Sequence, residues 1–483
     1  MRVLFVASEL YPLVKTGGLA DVCGALPLAL AQQRFDVRAL IPAYPGVLDG
    51  LRAQVTRLRM DPLFGGAVRV VAGLSETGTQ VFALDAPHLF ARKGNPYVGP
   101  DGRDWPDNHL RFGALSWMAR EIGLGRLGDW RPDIVHAHDW QAGLAPAYLA
   151  LSRDRRPATV ITIHNIAFQG LFPADTLTPL RLPQSAFTPE GVEYHGKVGF
   201  LKAGLHYADQ ITTVSPTYAR EIQTPEFGEG LDGLLRHRAR QLTGIVNGID
   251  AGKCNPAADA SIAARYTATK PEGKGANKAA LQSRLGLQVN AAAPLFCVIS
   301  RMSAQKGLDL LLANLPTLLA GGGQLAVLGN GDANLETGFR NAMTANPGRI
   351  GGVIGYDEPL AHLMQAGADV IVVPSRFEPC GLTQLYGLRY GTLPLVARLG
   401  GLADTVIDAN EAAMHDGVAT GFQFAPVTTE ALGNAFTRVF ELYARKDAWR
   451  QVVHRAMTRK VGWQEPAEKY AALYRSLVPP EAV

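Results

Sequence analysis

The chain has 483 residues, of which 47% are hydrophobic and 19% are charged, and its net charge is +4. This length exceeds that of one ordinary hydrophobic core, and the composition excludes an intrinsically disordered protein. The small net charge gives no indication of a nucleic-acid surface, and no stretch approaches the roughly 20 apolar residues that a membrane span requires. We therefore expect a soluble protein of two domains that binds neither nucleic acid nor a membrane.

Cysteine spacing and the N-terminus indicate the compartment. Cys23, Cys254, Cys297 and Cys380 are far apart without paired spacing, which is typical of free thiols in a reducing environment and not of disulfides or a zinc site. The apolar run at the N-terminus ends at Glu9 and is too short for the core of a signal peptide. These features predict a cytoplasmic protein.

The first predicted strand, at residues 2–8, is followed by a glycine pair and then by a helix predicted at 19–32. Because Gly17 and Gly18 have no Cβ atom, their backbone can approach a ligand closely, and the helix start adds partial positive charge beside Lys15. An ordinary strand-to-helix turn would show the same glycine pair. The G-x-G-x-x-G pattern does not follow this strand, which disfavours a dinucleotide-binding enzyme.

Residues 91–107 form a predicted loop that is dense in glycine, proline and aromatic residues. Long loops of this kind inside a compact domain are usually functional or disordered. The rings of Tyr97 and Trp105 offer apolar faces that suit glucose rings, so the loop is a candidate sugar platform. The alternative is that both rings only anchor the loop.

Two further predicted strands end in polar motifs, His-Ala-His-Asp-Trp and His-Asn. They occupy residues 133–137 and 158–163. They deliver His138, Asp139 and His164 to the same edge of a parallel sheet. We disfavour a metal site, because His136, His138 and Asp139 alternate faces along a strand and are not expected to converge. Other elements predicted in this half are a helix at 197–207 and strands at 211–214 and 242–246.

The polar stretch 250–285 shows little periodicity and is interpreted as the crossing between two domains. A second alternation of strands and helical patterns follows it, as expected of a doubly wound domain. The predicted strands are 295–300, 324–328, 352–354, 369–373 and 393–397. Helical periodicity covers 429–459, and 463–477 is predicted to form an amphipathic last helix.

The stretch 369–391 passes from an unbroken apolar strand into a loop and then a helix. Glu378 is thus expected at the carboxyl end of a strand, where ligands bind in open α/β sheets. Gly381 is predicted to open the helix, so the N–H groups of Gly381, Leu382 and Thr383 suit a phosphate. The alternative is an ordinary loop in which Arg376 and Glu378 form a surface ion pair.

The first strand of the second half is followed by Ser-Arg-Met-Ser-Ala-Gln-Lys-Gly, which places Arg301 and Lys306 at the ligand edge. Hydrogen bonds to charged groups contribute about 1.5–3 kcal/mol, whereas a helix terminus contributes about 0.3–1 kcal/mol in exposed settings. These two cations should therefore matter more to a diphosphate than the helix start at Gly381. A solvated basic loop is the alternative.

One motif occurs twice, since Gly-Gly-Leu-Ala-Asp follows Lys15 and again follows Arg398. Both copies come after predicted strands and could present backbone N–H groups to a ligand. We hypothesise that Gly400 and Gly401 face the ligand as well.

The string from Pro374 to Gly391, together with Lys-Thr-Gly-Gly-Leu-Ala-Asp-Val, the two histidine motifs and Ser-Arg-x-x-x-Gln-Lys-Gly, closely resembles the bacterial glycogen synthase and plant starch synthase family. The resemblance spans nearly the whole chain with the motifs in family order. It implies an α/β protein of the GT-B fold, with two doubly wound Rossmann-like domains that face each other across a deep cleft. The implied boundaries are an N-terminal domain at 1–246, a C-terminal domain at 247–460, and a helix at 461–483 that crosses back to the first domain.

The resemblance further implies transfer of glucose from ADP-glucose to the non-reducing end of an α-1,4-glucan with retention of configuration, without a metal or other cofactor. The implied catalytic residues are Glu378, His164 (through its main-chain carbonyl), Arg301 and Lys306. The implied donor contacts are Lys15, Gly17, Gly18, Asp139, Asn247, Tyr356, Cys380, Gly381, Leu382 and Thr383. The candidate sugar or acceptor contacts are Asp21, Tyr97, Trp105 and His138.

Several alternatives remain open at this point. Glu378 can act as a nucleophile or only orient glucose and stabilise positive charge in a front-face reaction. Tyr356 can stack on adenine or serve only as a surface turn residue, and Tyr386 stands where the wider GT-B pattern often has a second glutamate. Rival functions are a UDP-glucose transferase, a nucleotide-sugar epimerase and a catalytically inactive glucan-binding protein. A phosphorylase is disfavoured because no lysine stands in a recognisable pyridoxal-phosphate context.

Overall fold

A computed structural model describes residues 1–478. These residues form two compact units. The first unit contains Met1–Asn247 and resumes at Trp463, and the second contains Gly248–Gly462. The units thus divide one residue after the predicted boundary at 246. The chain returns to the first unit after Gly462, which is two residues after the predicted end of the second domain at 460.

The first unit is built on a twisted sheet flanked by helices. Its strands are β1 (Arg2–Val6), β2 (Asp36–Pro42), β3 (Arg52–Leu63), β4 (Gly66–Leu74), β5 (Gln80–Asp85), β6 (Ile134–His138), β7 (Ala158–Ile163), β8 (Leu171–Pro173), β9 (Glu193–Tyr194), β10 (Lys197–Gly199), β11 (Gln210–Thr213) and β12 (Leu242–Gly244). Its helices before the crossing are α1 (Gly18–Gln32), α2 (Pro87–Phe90), α3 (Asn108–Gly123), α4 (Leu144–Ala150), α5 (Phe200–Tyr207), α6 (Pro216–Glu221) and α7 (Asp232–His237).

The strand order of this sheet is β12-β11-β7-β6-β1-β2-β5-β4-β3, and the strands from β12 to β5 run parallel. Strands β8, β10 and β9 form a small antiparallel sheet. The chain builds outward from β1 on one side and then restarts at β6 on the other. The loops after β1 and β6 therefore flank the topological switch point, where ligands bind in open α/β sheets.

The second unit repeats this plan with a fully parallel sheet. Its strands are β13 (Leu295–Ile299), β14 (Gln324–Gly329), β15 (Ile350–Ile354), β16 (Val370–Val373), β17 (Leu393–Ala397) and β18 (Phe422–Phe424). Its helices are α8 (Glu272–Arg284), α9 (Leu308–Ala313), α10 (Leu315–Ala320), α11 (Ala333–Ala345), α12 (Glu358–Gly367), α13 (Thr383–Tyr390), α14 (Gly400–Thr405), α15 (Glu411–His415), α16 (Thr429–Ala444) and α17 (Lys446–Thr458).

The order β15-β14-β13-β16-β17-β18 places the switch point of this sheet between β13 and β16. The central strands are buried on both faces, which explains their unbroken apolar sequences. The loops that carry Arg301, Lys306 and Glu378 leave these two strands. Two segments that are far apart in sequence thus meet at one sheet edge.

The last helix, α18 (Gln464–Leu477), belongs to the first unit, where it packs against α1. Its Tyr474 is fully buried, and its ring lies 5.7 Å from that of Phe35. No helix within residues 1–478 is both long enough and apolar enough to cross a lipid bilayer.

Some elements differ from the sequence predictions. Strand β3 is not predicted, because it is mostly exposed and rich in polar residues, so no apolar run marks it. Residues 197–207 are predicted as one helix, but they form β10 and then α5. Helix α8 lies in the predicted linker, because its polar face dominates the pattern, although Asn277 and Lys278 are buried.

Candidate active site

The loop after β1 is organised by Glu9, a residue that sequence reasoning missed. Its side chain is 2% exposed, and it accepts hydrogen bonds from the amides of Thr16 and Gly17, from the Thr16 hydroxyl at 2.6 Å and from the Tyr97 hydroxyl. The available signal was an acidic residue directly after the apolar first strand. Glu9 therefore holds the glycine loop in place with hydrogen bonds to a charged acceptor, which are among the stronger kinds.

Gly17 is not a glycine that close packing requires. Its φ of −157° is ordinary extended backbone, and a Cβ atom there would meet nothing within 4 Å. The fold itself thus does not require glycine at this position, and the space in front of it is open to a ligand. Gly18 begins α1, and beside this loop the Lys15 ammonium pairs with Asp21 at 2.7 Å. Since the Lys15 side chain is 46% exposed, this pair contributes at most about 1 kcal/mol and is readily exchanged for a ligand.

The contacts of Tyr97 and Trp105 are those expected if the two rings anchor their loop. The Tyr97 hydroxyl bonds to Glu9 and, at 2.8 Å, to Ser8. The Trp105 indole donates to the carbonyl of Asn95 at 3.2 Å, and the Arg92 guanidinium lies 5.0 Å from its ring. Tyr97 therefore ties the loop to the end of β1, whereas these contacts of Trp105 stay within the loop.

Asp139 connects the ends of β6 and β7. Its carboxylate accepts hydrogen bonds from the backbone N–H groups of His164 at 2.7 Å and Asn165 at 3.4 Å. Its φ of +56° lies in the left-handed region, which is uncommon for a residue other than glycine and is found at functional sites. Burial raises the pKa of Asp139 to about 7, against the lowering effect of these two N–H groups. Asp139 thus fixes the peptide that follows β7 at the edge of the sheet.

The substitution Asp139→Asn is expected to change how stability depends on pH. A carboxyl group with a raised native pKa penalises the native state increasingly from about pH 4 to about pH 7 and by a constant amount above that. The difference between the raised and the ordinary pKa of this carboxyl group corresponds to a loss of native-state stability of roughly 4 kcal/mol at most. The asparagine side chain would keep an acceptor oxygen but cannot ionise, so the melting temperature of the variant relative to wild type should rise between pH 4 and 7 and then level off.

Asp309 provides a control of opposite sign for that experiment. Hydrogen bonding to Arg376 lowers the pKa of Asp309, so its contribution to stability is present at neutral pH and is lost as the pH falls below about 4. Asp309→Asn should therefore be less stable than wild type at neutral pH and approach it in acid. A melting difference for Asp139→Asn that is constant from pH 4 to 8 would contradict the assignment.

Three histidines lie together beside Asp139, and two of them contradict the expectation that His136 and His138 alternate faces along the strand. His136 and His138 are two residues apart on β6 and hence share a face, and their ring centroids are 4.2 Å apart. Nδ1 of His138 lies 2.9 Å from Nε2 of His164. His136 bonds to the hydroxyls of Tyr474 at 2.7 Å and Thr162 at 2.6 Å.

The surroundings keep these rings neutral. Burial lowers the pKa values of His136 and His164 to about 3, and it lowers the pKa of His138 well below its ordinary value. The pairs are therefore hydrogen bonds between neutral groups. Among residues 1–478, no three or more His, Cys, Asp or Glu side chains are arranged to hold a metal ion.

Some polar atoms near this edge lack partners in the described part of the chain. Nε2 of His138 and Oδ1 of Asn247 are buried without a hydrogen bond. The carbonyl of His164, a half-buried residue, also accepts no hydrogen bond from residues 1–478. Buried polar atoms are nearly always satisfied in native proteins, so such atoms indicate a bound ligand or water.

In the second unit, Glu378 pairs with Lys306. Nζ of Lys306 lies 2.6 Å from Oε2 of Glu378, and the Ser375 hydroxyl donates to the same oxygen at 2.8 Å. The other oxygen, Oε1, receives no hydrogen bond from residues 1–478. The predicted alternative of an Arg376–Glu378 ion pair is wrong, because the two terminal guanidinium nitrogens of Arg376 bond to Asp309, at 2.7 and 2.6 Å.

The loops after β13 and β16 are joined by their backbones. The Arg376 amide donates to the carbonyl of Gln305 at 2.8 Å, and the Gln305 side chain donates to the carbonyl of Phe377 at 2.9 Å. Gly307 adopts φ +63°, and a Cβ atom there would lie 2.0 Å from the carbonyl oxygen of Pro374. This contact explains why Lys306 is followed by glycine and how it reaches Glu378.

The start of α13 lies later than predicted. The helix begins at Thr383 with Leu382 as its N-cap, whereas Gly381 adopts φ +72° and stays outside it. The left-handed conformation of Gly381 is incompatible with the first helical turn. Cys380 is 5% exposed, and its carbonyl accepts a hydrogen bond from Gln384.

Gly400 and Gly401 pack closely against the backbone of the loop that carries Glu378. A Cβ atom on Gly400, whose φ is +43°, would lie 1.9 Å from the carbonyl oxygen of Glu378. A Cβ atom on Gly401 would lie 2.4 Å from Cα of Cys380, and the Gly401 amide donates to the carbonyl of Pro379 at 3.0 Å. The repeated glycine motif thus has different surroundings in its two copies, since Gly17 faces open space.

Two predicted donor contacts lie on the surface of the second unit. Arg301 is exposed near the start of the loop that follows β13. Tyr356 is 83% exposed, and its hydroxyl donates to Glu358 at 3.0 Å. Both side chains are therefore accessible to a ligand.

Comparisons with known proteins agree with these features. The family described as starch synthase catalytic domain matches residues 2–237, and the family of glycosyl transferases group 1 matches residues 284–453. A glycogen synthase of Rhodopseudomonas palustris is 57% identical over 99% of both chains, and one of Methylocella silvestris is 55% identical with the same coverage.

The catalytic domain of starch synthase IV from Arabidopsis thaliana, solved with ADP and acarbose, superposes with a TM-score of 0.89 at 30% identity, over 98% of this chain and 99% of that one. Sucrose-phosphate synthase from Thermosynechococcus elongatus shares the fold, with a TM-score of 0.59 at 18% identity and coverage of 99% and 98%. The two doubly wound units, with the matches to both transferase families and to this starch synthase, identify the class of the protein as a GT-B glycosyltransferase. The chain belongs to the glycogen synthase and starch synthase family, and it is a glucosyltransferase.

Proposed function

We propose that the protein transfers glucose from ADP-glucose to the non-reducing end of an α-1,4-glucan with retention of configuration, as a step of glycogen synthesis in the cytoplasm. The observation that carries the proposal is the Lys306–Glu378 pair at 2.6 Å, with one carboxylate oxygen left for substrate, in a chain 57% identical to a glycogen synthase. The names of its relatives support the glucan product. The ADP and acarbose bound to the related starch synthase support the nucleotide and the class of acceptor.

The transition state of such a transfer carries negative charge on the departing diphosphate and positive charge on the glucose ring. We assign Arg301, Lys306 and Lys15 to the diphosphate, because charge-assisted hydrogen bonds from fixed cations stabilise developing negative charge. The carbonyl of His164 and the Glu378 carboxylate are assigned to the glucose. The Oδ1 atom of Asn247, which is buried without a hydrogen bond from residues 1–478, is assigned to binding of the donor.

The Lys306–Glu378 pair gives the carboxylate a defined position before substrate binds. Lys306 and Ser375 both hold Oε2, so the carboxylate cannot rotate freely and Oε1 points to a constant place. Groups fixed in this way need no reorganisation during the reaction. With cations supplied by lysine and arginine, we propose that neither a metal nor another cofactor takes part.

The test is a glucosyl-transfer assay with glycogen as acceptor and with ADP-glucose or UDP-glucose as donor, using protein treated with EDTA. We expect incorporation of glucose from ADP-glucose at a rate unaffected by EDTA, and much slower incorporation from UDP-glucose. The readouts are labelled glucan and released nucleoside diphosphate, measured separately.

Other outcomes identify the rival functions. Transfer from UDP-glucose alone would indicate a different GT-B transferase. Conversion of UDP-glucose without glucan would indicate an epimerase, and glycogen binding without turnover of either donor would indicate a binding protein. A rate that EDTA abolishes and a divalent cation restores would contradict the cofactor proposal.

A further inference from the structure

The loop that follows β7 carries an aromatic side chain in an unusual position. Phe168 is 56% exposed, although large apolar side chains are mostly buried in this unit, and Leu171 beside it is 37% exposed. Phe168 lies four residues after His164. Four residues of chain span at most about 14 Å, so this ring lies within a few sugar units of the group assigned to the reacting glucose.

The exposure of Phe168 is not that of a loose loop. Its amide donates to the carbonyl of Asn165 at 3.3 Å, and the Asn165 side chain accepts from the Ala167 amide at 3.1 Å. Gly170, at φ +62°, packs on Trp140 so closely that a Cβ atom would lie 2.3 Å from the indole ring. The backbone on both sides of Phe168 is therefore held while its ring faces solvent.

The backbone of an acidic residue, Glu229, is bonded to Gln169, the residue that follows Phe168. The side-chain amide of Gln169 donates to the carbonyl of Glu229 at 2.8 Å, and the Tyr194 hydroxyl donates to the same carbonyl at 3.2 Å. These two bonds fix Glu229 at φ +49°, a conformation that costs free energy for a residue other than glycine. Its side chain is exposed. A strained conformation of this kind persists only where the surrounding structure imposes it. Here the hydrogen bonds from Gln169 and Tyr194 hold the backbone of Glu229 near Phe168.

We propose that Phe168 and Glu229 form a binding platform for the α-glucan acceptor, at units beyond the one that receives glucose. An aromatic face covers the apolar face of a glucose ring, and a carboxylate accepts hydrogen bonds from its hydroxyls. A nucleotide diphosphate is disfavoured there because Glu229 would repel it. This inference rests on the proposed function, since it assigns the acceptor of that same reaction.

The platform is tested by acceptor binding without donor. We expect Phe168→Ala to weaken binding of maltoheptaose and glycogen by about three- to ten-fold, as measured by calorimetry and by affinity electrophoresis. The KM for the glucan should rise by the same factor, while the KM for ADP-glucose and kcat at saturating glucan stay unchanged. Phe168→Tyr should restore wild-type binding, and Glu229→Gln should weaken it less than Phe168→Ala does.

Val55 offers a matched control, because it is 56% exposed on β3, far along the sheet from β7. Val55→Ala should leave glucan binding unchanged. If Phe168→Ala binds maltoheptaose as wild type does, the platform is overturned while transfer from ADP-glucose still supports the proposed function. If no glucan is extended but Phe168→Ala still weakens glucan binding, the proposed function fails and the platform stands.

Discussion

Glu378→Gln is expected to lower kcat for glucosyl transfer by roughly 10²- to 10³-fold, with a much smaller change in the KM for ADP-glucose. The reason is that the substitution removes the negative charge which favours the positive glucose ring, while it keeps the size of the side chain. The loss should therefore appear in the transition state more than in donor binding. The measurement is steady-state transfer to glycogen with both substrates varied.

Ser375→Ala is the matched control for Glu378→Gln. Its hydroxyl donates to Oε2 of Glu378 at 2.8 Å, but Lys306 holds that oxygen as well and Oε1 is untouched. We expect a loss of about ten-fold or less, since the charge and the free oxygen both remain. Thermal melting of each variant separates a folding defect from a catalytic one.

A Glu378→Gln enzyme that retains kcat within about three-fold of wild type would remove Glu378 from the catalytic machinery. A large rise in the KM for ADP-glucose at unchanged kcat would instead make it a donor-binding residue. A transition-state effect is the expected one because the glucose ring carries positive charge in the transition state and much less in the bound donor.

Several strand ends could be predicted from the sequence, because parallel strands buried on both faces have unbroken apolar sequences. The switch points could not, since they depend on the order of the strands in each sheet. The apolar runs before Glu9, Arg301 and Glu378 each mark a strand end, whereas the strand before Asp139 contains two histidines. Since carboxyl ends of parallel strands share one sheet edge, the residues that follow these runs can be grouped from the sequence alone. The resemblance to the family then supplied the chemistry.

The partners of these residues could not be predicted in the same way. Lys306 and Glu378 are 72 positions apart, and Tyr97 reaches Glu9 across 88 positions. Local patterns contain no information on such pairs, so Arg376 was considered a partner of Glu378 when its partner is Asp309. The expectation that His136 and His138 lie on alternating faces was wrong for a different reason, because residues two apart on a strand share a face.

Gly400→Ala is expected to reduce kcat by about 100-fold and to lower the melting temperature of the protein. A Cβ atom at position 400 would lie 1.9 Å from the carbonyl oxygen of Glu378, and φ +43° is itself unfavourable for alanine. The backbone at Glu378 must then move away, and a displacement of about 1 Å at a catalytic group can cost about 100-fold in rate. Melting curves and transfer kinetics on the purified variant measure the two effects.

Two other glycines make this prediction specific. Gly275 lies within α8 with nothing within 4 Å of a Cβ position, so Gly275→Ala should leave activity unchanged and stabilise the helix by up to about 1 kcal/mol. Gly17→Ala should leave the melting temperature unchanged and raise the KM for ADP-glucose, because the free space there is assigned to the donor. Wild-type kcat in Gly400→Ala would show that the Glu378 loop can shift without loss, and the contact between these two backbones would then have no part in catalysis.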